Sequence, residues 1–296
     1  EAEAREAACH AAAEQVRVSL ARIEAAQARL ERTRLRAPAH GTVLQINTRV
    51  GETVAAGPEQ GKFSMSVLGG VDFPVSGDVH SGAVAPVPDL GPLNPALAGV
   101  SAELRIRSRS HEQIYGNARS YGLEVGYGLS DRSEVFLQAR ETSADDGRVR
   151  VGAAYVPALD TELDVFGEFS SYDAYTWEVG YRRFLGDGGR VRPFVAARLG
   201  ATETDAIRAT FEIPDAAITI PNAPFYEKDW ALSGGLEAGV HIPFTERFSM
   251  KLAAGVNYIG DLSDDDSAIA GLGLARINDT GRRVWVPLSV TGRWDF

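Results

Sequence analysis

The sequence predicts a mainly β fold: a transmembrane antiparallel β-barrel preceded by a long N-terminal α-helix and a short β segment. From residue 119 onward, segments of about ten residues alternate between apolar and polar side chains, as lipid-spanning strands do. The connections between these segments alternate between short and long. Residues 1–36, in contrast, contain neither Gly nor Pro and have a helical apolar spacing.

The overall composition excludes several classes of protein. The 296 residues include 40 acidic and 30 basic side chains, a formal charge of −10, which argues against a general nucleic-acid binder. A hydrophobic content of 44% is too high for a disordered chain, and a single Cys cannot form a disulfide framework. The chain has no apolar run of about 18 residues, so no transmembrane helix is predicted.

A change in composition near residue 60 divides the chain into residues 1–57, a linker at 58–62 and residues 63–296. In the first part, seven positions, apolar except for one Gln, follow the alternating four- and three-residue spacing of a coiled-coil seam. Those positions are Cys9, Ala13, Val16, Leu20, Ile23, Gln27 and Leu30. Pro38 ends the predicted helix, and residues 41–47 alternate as a strand. The linker is the Gly- and Pro-containing stretch Gly57-Pro58-Glu59-Gln60-Gly61.

The end of this first part carries a family resemblance. Arg36-Ala37-Pro38, Gly41 and Val50-Gly51-Glu52 resemble the junction between an α-hairpin and a lipoyl-like domain in membrane-fusion (HlyD-like periplasmic adaptor) proteins. That family serves tripartite efflux and type I secretion, so the resemblance implies a periplasmic arm with a coiled-coil partner. Only the second helix arm and the second lipoyl half are matched, and a solvated or oligomerising helix is the alternative.

The alternating segments predict a barrel of about ten strands. Tyr121-Gly122-Leu123-Glu124-Val125 shows the pattern, which recurs around residues 135–140, 149–155, 163–169, 175–182, 191–199, 230–242, 248–258 and 284–296. Residues 63–68 add a first strand. Twelve strands would result if residues 79–87 and 102–107 also paired within the barrel, and eight is a further alternative. Residues 206–221 are expected to form an extra hairpin above the membrane, and residues 84–97 a plug or a plain loop.

The last segment supports a specific location. Val290, Gly292, Trp294 and Phe296 form one face of it, and the sequence ends on an aromatic residue. This pattern resembles the C-terminal insertion signal of Gram-negative outer-membrane β-barrel proteins. The resemblance implies residence in the outer membrane with residues 1–57 in the periplasm. It implies outer-membrane lipid and lipopolysaccharide as surroundings, and recognition of the C-terminal strand by the barrel-assembly machinery.

The polar positions of the segments predict a lumen filled by paired charges. Acidic and basic residues balance on this face, and burying charges is tolerable when they are paired. The network is predicted to contain Glu124, Glu134, Arg140, Arg150, Glu168, Glu178, Arg182, Arg198, Glu237, Lys251 and Arg293. An interior eight to ten strands wide is about filled by side chains, so we expect a closed lumen, with a narrow polar channel as the alternative.

Other candidate sites are weaker. Asp264, Asp265 and Asp266 could hold Ca²⁺, although a solvated loop is favoured because EF-hand spacing is missing. Ser233, Glu237 and His241 lie on a single strand, with the outer pair about 26 Å apart, too far for a catalytic triad.

The sequence therefore predicts a structural or transport-related barrel without a cofactor or catalysis. An adaptor of efflux or secretion is the first alternative function, and an outer-membrane hydrolase is the second.

Overall fold

The structure, a computed structural model, describes residues 58–186 and 191–296. Eight long strands are β1 (Phe63–Ser76), β6 (Ala118–Ser130), β7 (Ser133–Ala144), β10 (Tyr172–Phe184), β11 (Arg192–Thr204), β14 (Asp229–Pro243), β15 (Phe248–Ile259) and β16 (Arg283–Asp295). The shorter strands are β2 (Asp78–His80), β3 (Ala83–Val87), β4 (Ala102–Ile106), β5 (Arg109–Ser110), β8 (Gly147–Val156), β9 (Thr161–Phe169), β12 (Ile207–Ile213) and β13 (Ile218–Tyr226). A one-turn helix, α1, spans His111–Tyr115 behind a capping box at Ser110.

The eight long strands form a closed antiparallel barrel in the order β1-β16-β15-β14-β11-β10-β7-β6. Closure occurs at β1, whose Met65 lies opposite Trp294 of β16 on one side and opposite Val125 of β6 on the other. A closed barrel leaves no strand edge with unpaired backbone groups, which is the condition for a β structure to cross a lipid bilayer.

The barrel therefore has eight strands, and the predicted ten was wrong. The segments at 149–155 and 163–169 do form strands, β8 and β9, but these belong to a separate six-stranded sheet. Their apolar residues Val151 and Val165 are buried in a protein core, whereas Val179 of β10 is 61% exposed. Alternation indicates a strand with two different faces, but it does not say whether lipid or protein covers the apolar face.

The long connections build a second structure at one end of the barrel, which we call the cap (residues 77–117, 145–171, 205–228 and 260–282). Three hairpins in the cap pair side by side into the sheet β13-β12-β9-β8-β4-β3. Ile269, Leu274 and Ile277 of the fourth connection are buried in the same hydrophobic core. The predicted hairpin at 206–221 is confirmed as β12 and β13. Residues 84–97 are neither a plug nor a plain loop, because they include β3 at the edge of this sheet.

The opposite end of the barrel has only short connections. Residues 131–132, 185–191 and 244–247 join successive barrel strands there. The backbone N–H of Phe296 donates to the carbonyl of Phe63 at 3.0 Å, so β1 and β16 also meet at this end. Among the described residues, no helix is long and apolar enough to cross a membrane.

Candidate functional site: the barrel lumen

The barrel strands separate apolar and ionic side chains onto opposite faces. Outward residues such as Leu199 and Leu236 are 64% and 68% exposed, whereas inward Glu134 and Arg182 are 0% and 1% exposed. Further exposed outward residues are Val67, Tyr121, Leu123, Leu137, Tyr175, Trp177, Leu232, Val256, Leu288 and Trp294. This distribution inverts that of a water-soluble β protein and defines the class: a transmembrane β-barrel with a polar interior.

Arg182 lies at the centre of the lumen. Its guanidinium donates to both carboxylate oxygens of Glu124, at 3.0 and 2.8 Å, and also to Glu134. Glu237 is a third acidic partner at 3.4 Å. All five donors of a guanidinium lie in one plane, so Arg can serve several carboxylates at once in a way that a Lys ammonium cannot.

An aromatic ring also stabilises Arg182 in this position. The Phe136 ring lies 4.2 Å from the guanidinium carbon, within the range of a cation–π contact. The ring fits because Gly180 has no side chain: a Cβ there would lie 2.2 Å from Cζ of Phe136. The period-2 pattern identifies Arg182 as inward-facing, but nothing in the sequence reveals that Phe136 covers it.

Two further cations extend the network toward the short-turn end. Lys251 donates to Glu124, and Arg293 donates to Glu134. Arg293 also pairs with Asp295 at 2.7 Å. Strands β6, β7, β10, β15 and β16 thus share one set of buried ion pairs, and each of these carboxylates has a cationic partner.

A second set of contacts lies toward the cap. Arg198 approaches Glu178 at 3.4 Å and donates to Gln138 at 2.8 Å. Arg140 pairs with Asp72 at 3.5 Å. Asp72 was not predicted as a lumen residue, because the first strand was expected to end at residue 68. Asp72 lies on the same face of β1 as Ser64 and Ser66. Extending the predicted strand beyond residue 68 would therefore have identified Asp72 as inward-facing.

Two predicted members of the network lie elsewhere. Arg150 and Glu168 belong to β8 and β9 in the cap, so their assignment to the lumen was wrong. Arg150 pairs with Asp164 at 2.6 Å, and both side chains are partly exposed to solvent. This error has the same cause as the wrong strand count. Charged residues alternate with a period of two both on a half-buried cap strand and on the lumen side of a barrel strand.

An aromatic layer separates the ionic network from the cap core. Tyr172 stacks on Trp285 with ring centroids 5.7 Å apart, and His111 lies 5.7 Å from Tyr172 and 5.9 Å from Trp285. Tyr115 completes the layer 5.8 Å from His111. On β10, Tyr172 precedes Glu178 and Arg182, so the layer lies at the cap end of the lumen. Desolvation by burial lowers the pKa of His111 well below its ordinary value, so the ring is neutral at pH 7.

Little space remains between the ionic side chains. A cavity of about 10 Å³ lies among Glu124, Arg182, Arg198 and Glu237, with Leu68 on its wall. A single water needs roughly 10–15 Å³, so this cavity holds about one water molecule. The described lumen is therefore packed with paired charges and closed above by aromatic rings.

The four residues of the predicted insertion signal lie on β16 and at its end. Val290, Trp294 and Phe296 are exposed on the outer surface, and the Trp294 side chain lies beside Gly292. Trp294 also packs against Phe248 of β15, with ring centroids 5.1 Å apart. This face is apolar and accessible along the strand that closes the barrel.

The acidic loop has no metal-binding geometry. Asp265 accepts from the Ser267 N–H at 3.1 Å, and Asp266 accepts from the Arg276 N–H at 2.8 Å. Hydrogen bonds from Ser267 lower the pKa of Asp265, which is consistent with a carboxylate that serves its own loop. No group of His, Cys, Asp or Glu residues within 58–186 and 191–296 could hold a metal ion.

His241 lies on β14 in a packed environment. Its ring contacts Phe184 at a centroid distance of 5.4 Å, and neither ring nitrogen has a hydrogen-bond partner among the described residues. The Ser233 hydroxyl is likewise without a hydrogen-bond partner there. These side chains do not form the hydrogen-bonded chain that a triad requires.

The comparisons with known proteins give only weak likenesses. No protein-family model matches the chain, and no curated protein sequence matches it significantly. Among solved structures, Neisserial surface protein A has 13% identity and a TM-score of 0.36 over 80% of this chain and 98% of that one. OprG from Pseudomonas aeruginosa has 17% identity and a TM-score of 0.32 over 81% and 98% of the two chains. The outer membrane protease OmpT from Escherichia coli has 9% identity and a TM-score of 0.35 over 79% and 97%. The class therefore rests on the closed strand order and the two faces of the strands.

The predictions for residues 1–57 lie outside the described residues. These are the coiled-coil helix, the short β segment and the resemblance to membrane-fusion adaptor proteins. Of the linker at 58–62, Gly61 donates its N–H to the carbonyl of Gly128 at 2.9 Å, beside the short β6–β7 turn.

Proposed function

We propose that the chain is an integral outer-membrane β-barrel protein of Gram-negative bacteria whose sealed lumen makes it a structural scaffold for the cap. One observation carries this proposal: buried ion pairs centred on Arg182 fill the lumen of a barrel whose outer surface is apolar. Breaking these pairs would leave uncompensated charge in a low-dielectric interior, which favours a permanently closed state over a gated pore.

The proposed orientation places the cap outside the cell and the short turns in the periplasm. Outer-membrane barrels have short periplasmic turns and long extracellular loops, the asymmetry seen between the two ends of this barrel. The apolar surface would face outer-membrane lipid and lipopolysaccharide. The exposed face of Val290, Gly292, Trp294 and Phe296 would be recognised by the barrel-assembly machinery during insertion. Residues 1–57 would then lie in the periplasm.

The function suggested by the adaptor resemblance stays a prediction. It depends on residues 1–57 and on a coiled-coil partner for them. The absence of catalysis also stays a prediction, and no described group of residues favours the hydrolase alternative.

Conductance in planar lipid bilayers tests the sealed lumen. We expect no stable large-step channels from protein whose folding has been verified by heat-modifiable gel mobility, because paired side chains occupy the lumen and aromatic rings cover it. A useful control replaces Arg182, Glu124 and Glu134 together by Ala. This removes three lumen side chains and leaves Lys251 and Glu237 without their partners, so the folding of the variant is verified by the same gel mobility. Conductance that rises only in the control supports a plug of side chains, whereas large channels in the unmodified protein would overturn the proposal.

A further inference from the structure

The fourth cap connection, residues 260–282, contains a loop that is folded on itself. The backbone N–H of Ile269 donates to the carbonyl of Asp266 at 2.9 Å. The carboxylate of Asp266 accepts from the backbone N–H of Arg276 at 2.8 Å, and this bond joins the two ends of the loop. Compact surface loops whose ends lie close together behave as small units of structure. We call this loop, residues 266–276, the lid.

The lid is attached to the rest of the cap by apolar contacts alone. Among the described residues, no hydrogen bond joins the lid to any part of the chain outside the fourth connection. Ile269 and Leu274 are buried in the cap core, and Leu272 packs against that core. Apolar contacts are not directional, so the lid can lift away without leaving a hydrogen-bonding group of the core unpaired.

Hydrogen bonds on both sides of the lid fix the remainder of the connection. Before the lid, the backbone N–H of Asp265 donates to the carbonyl of Phe225 at 3.1 Å. After the lid, the carbonyl of Ile277 accepts from the backbone N–H of Ser81 at 2.7 Å and from the Ser81 hydroxyl at 2.9 Å. A self-contained loop therefore lies between two fixed points, which is the arrangement of a hinged segment.

The backbone at the second end of the lid has an unusual conformation. Arg276 has a φ of +63°, in the left-handed region that residues with a Cβ seldom adopt. A residue held in this region stores strain, and a change of its backbone conformation releases that strain. Arg276 is therefore the position where we expect the chain to turn when the lid moves.

The packing between the lid and the six-stranded cap sheet is incomplete. A cavity of about 50 Å³ has walls from both, with Leu272 and Leu274 from the lid and Leu104, Val151 and Ile213 from the sheet. Side chains that border a cavity lack van der Waals partners on that side. The cavity therefore weakens the one kind of contact that holds the lid in place.

We propose that residues 266–276 are a hinged lid that opens as a unit and exposes the apolar inner face of the cap sheet to water. The closed lid shields Val151 and its neighbours from solvent. The open lid gives the cap a transient apolar surface. The proposal depends only on contacts within the cap, so lid opening and the sealed lumen can fail independently of one another.

Thiol labelling of the full chain in lipid nanodiscs tests the proposal. The single native cysteine, Cys9, is replaced by Ser, and a new cysteine is introduced on β8 by Val151→Cys or Val156→Cys. Val151 and Val156 are 1% and 2% exposed in the same core, but only Val151 lines the cavity beneath the lid. We expect a water-soluble maleimide to label Val151→Cys about tenfold faster or more, because local opening is easier than unfolding of the cap.

Both alternative results are informative. Equally slow labelling of the two variants would mean that the lid stays closed, and equally fast labelling would mean that the whole cap opens. Either result would overturn the proposal.

A reversible cross-link shows whether the lid is the part that moves. A Cβ at Gly273 would lie 3.2 Å from the Cβ of Ala85 on β3, near the range of about 3.5–4.5 Å in disulfides. Ala85→Cys and Gly273→Cys are therefore added to Val151→Cys, and mass spectrometry follows labelling of the peptide that contains residue 151. The reduced form carries the same substitutions as the oxidised form and is the matched control.

We expect oxidation to slow labelling at residue 151 about tenfold or more, because the cross-link removes the local opening and leaves only unfolding of the cap. Equal labelling of the oxidised and reduced forms would contradict opening at the lid.

Discussion

Replacing Arg182 by Met is expected to lower the free energy of unfolding by about 3–5 kcal/mol, the range for breaking a buried ion pair by removing one partner. Arg182 is 1% exposed and is hydrogen-bonded to Glu124 and Glu134. Met fills much of the same space without a charge, so the loss would come from Glu237, left without a cation, and from Glu124 and Glu134, each left with one cation in place of two. Urea unfolding in lipid vesicles, followed by tryptophan fluorescence, measures this loss.

Two controls show whether charge compensation is the cause. Arg148→Met removes an ion pair with Glu212 at 3.0 Å on the surface of the cap, where solvent screening leaves little to lose. Adding Glu237→Gln to Arg182→Met neutralises the carboxylate that Arg182→Met leaves without a cation, and should recover part of the lost stability. If Arg182→Met and Arg148→Met had the same small effect, the lumen would be hydrated and screened rather than sealed.

Introducing Arg at Val179 is expected to destabilise the folded barrel by about 2–4 kcal/mol, the cost of a basic residue on the lipid face near the bilayer midplane. Val179 lies near the middle of β10, and its cross-strand neighbours are the outward-facing Leu137 and Leu199. The matched control is Leu159→Arg at the tip of the β8–β9 hairpin. Leu159 is 71% exposed and Val179 is 61% exposed.

The comparison is informative because the two sites have similar exposure and differ in the surroundings we assign to them. Refolding yield into lipid vesicles and urea midpoints give the measurement. We expect the Val179→Arg protein to lose stability and the Leu159→Arg protein to behave like the unmodified chain. Equal tolerance at both positions would mean that the barrel exterior is in water.

Much of the barrel could be predicted from the sequence because its physical requirement is simple. Every barrel strand must present one face to lipid and the other to the lumen, so residues such as Leu137 and Gln138 alternate visibly. The same reasoning identified Glu124, Glu134, Arg182 and Arg293 as inward-facing, and the structure brings these four together.

The cap could not be separated from the barrel by the same reasoning. β8 alternates like a barrel strand, yet Val151 packs against other protein side chains and Arg150 faces solvent. The distinction depends on which hairpins pair with one another, and this is a long-range property absent from any single segment. The aromatic layer was missed for the same reason, since its contacts join residues distant in sequence.

The most direct test of the membrane-facing exterior compares two single-tryptophan proteins in vesicles whose acyl chains carry bromine, which quenches tryptophan on contact. One keeps Trp177, which is 53% exposed on the outer face, and the other keeps Trp285, which is 2% exposed in the aromatic layer. The remaining tryptophans are replaced by Phe in both. We predict strong quenching of Trp177 and little quenching of Trp285. Quenching of Trp177 by aqueous iodide but not by brominated lipid would contradict a barrel with its apolar face in the bilayer.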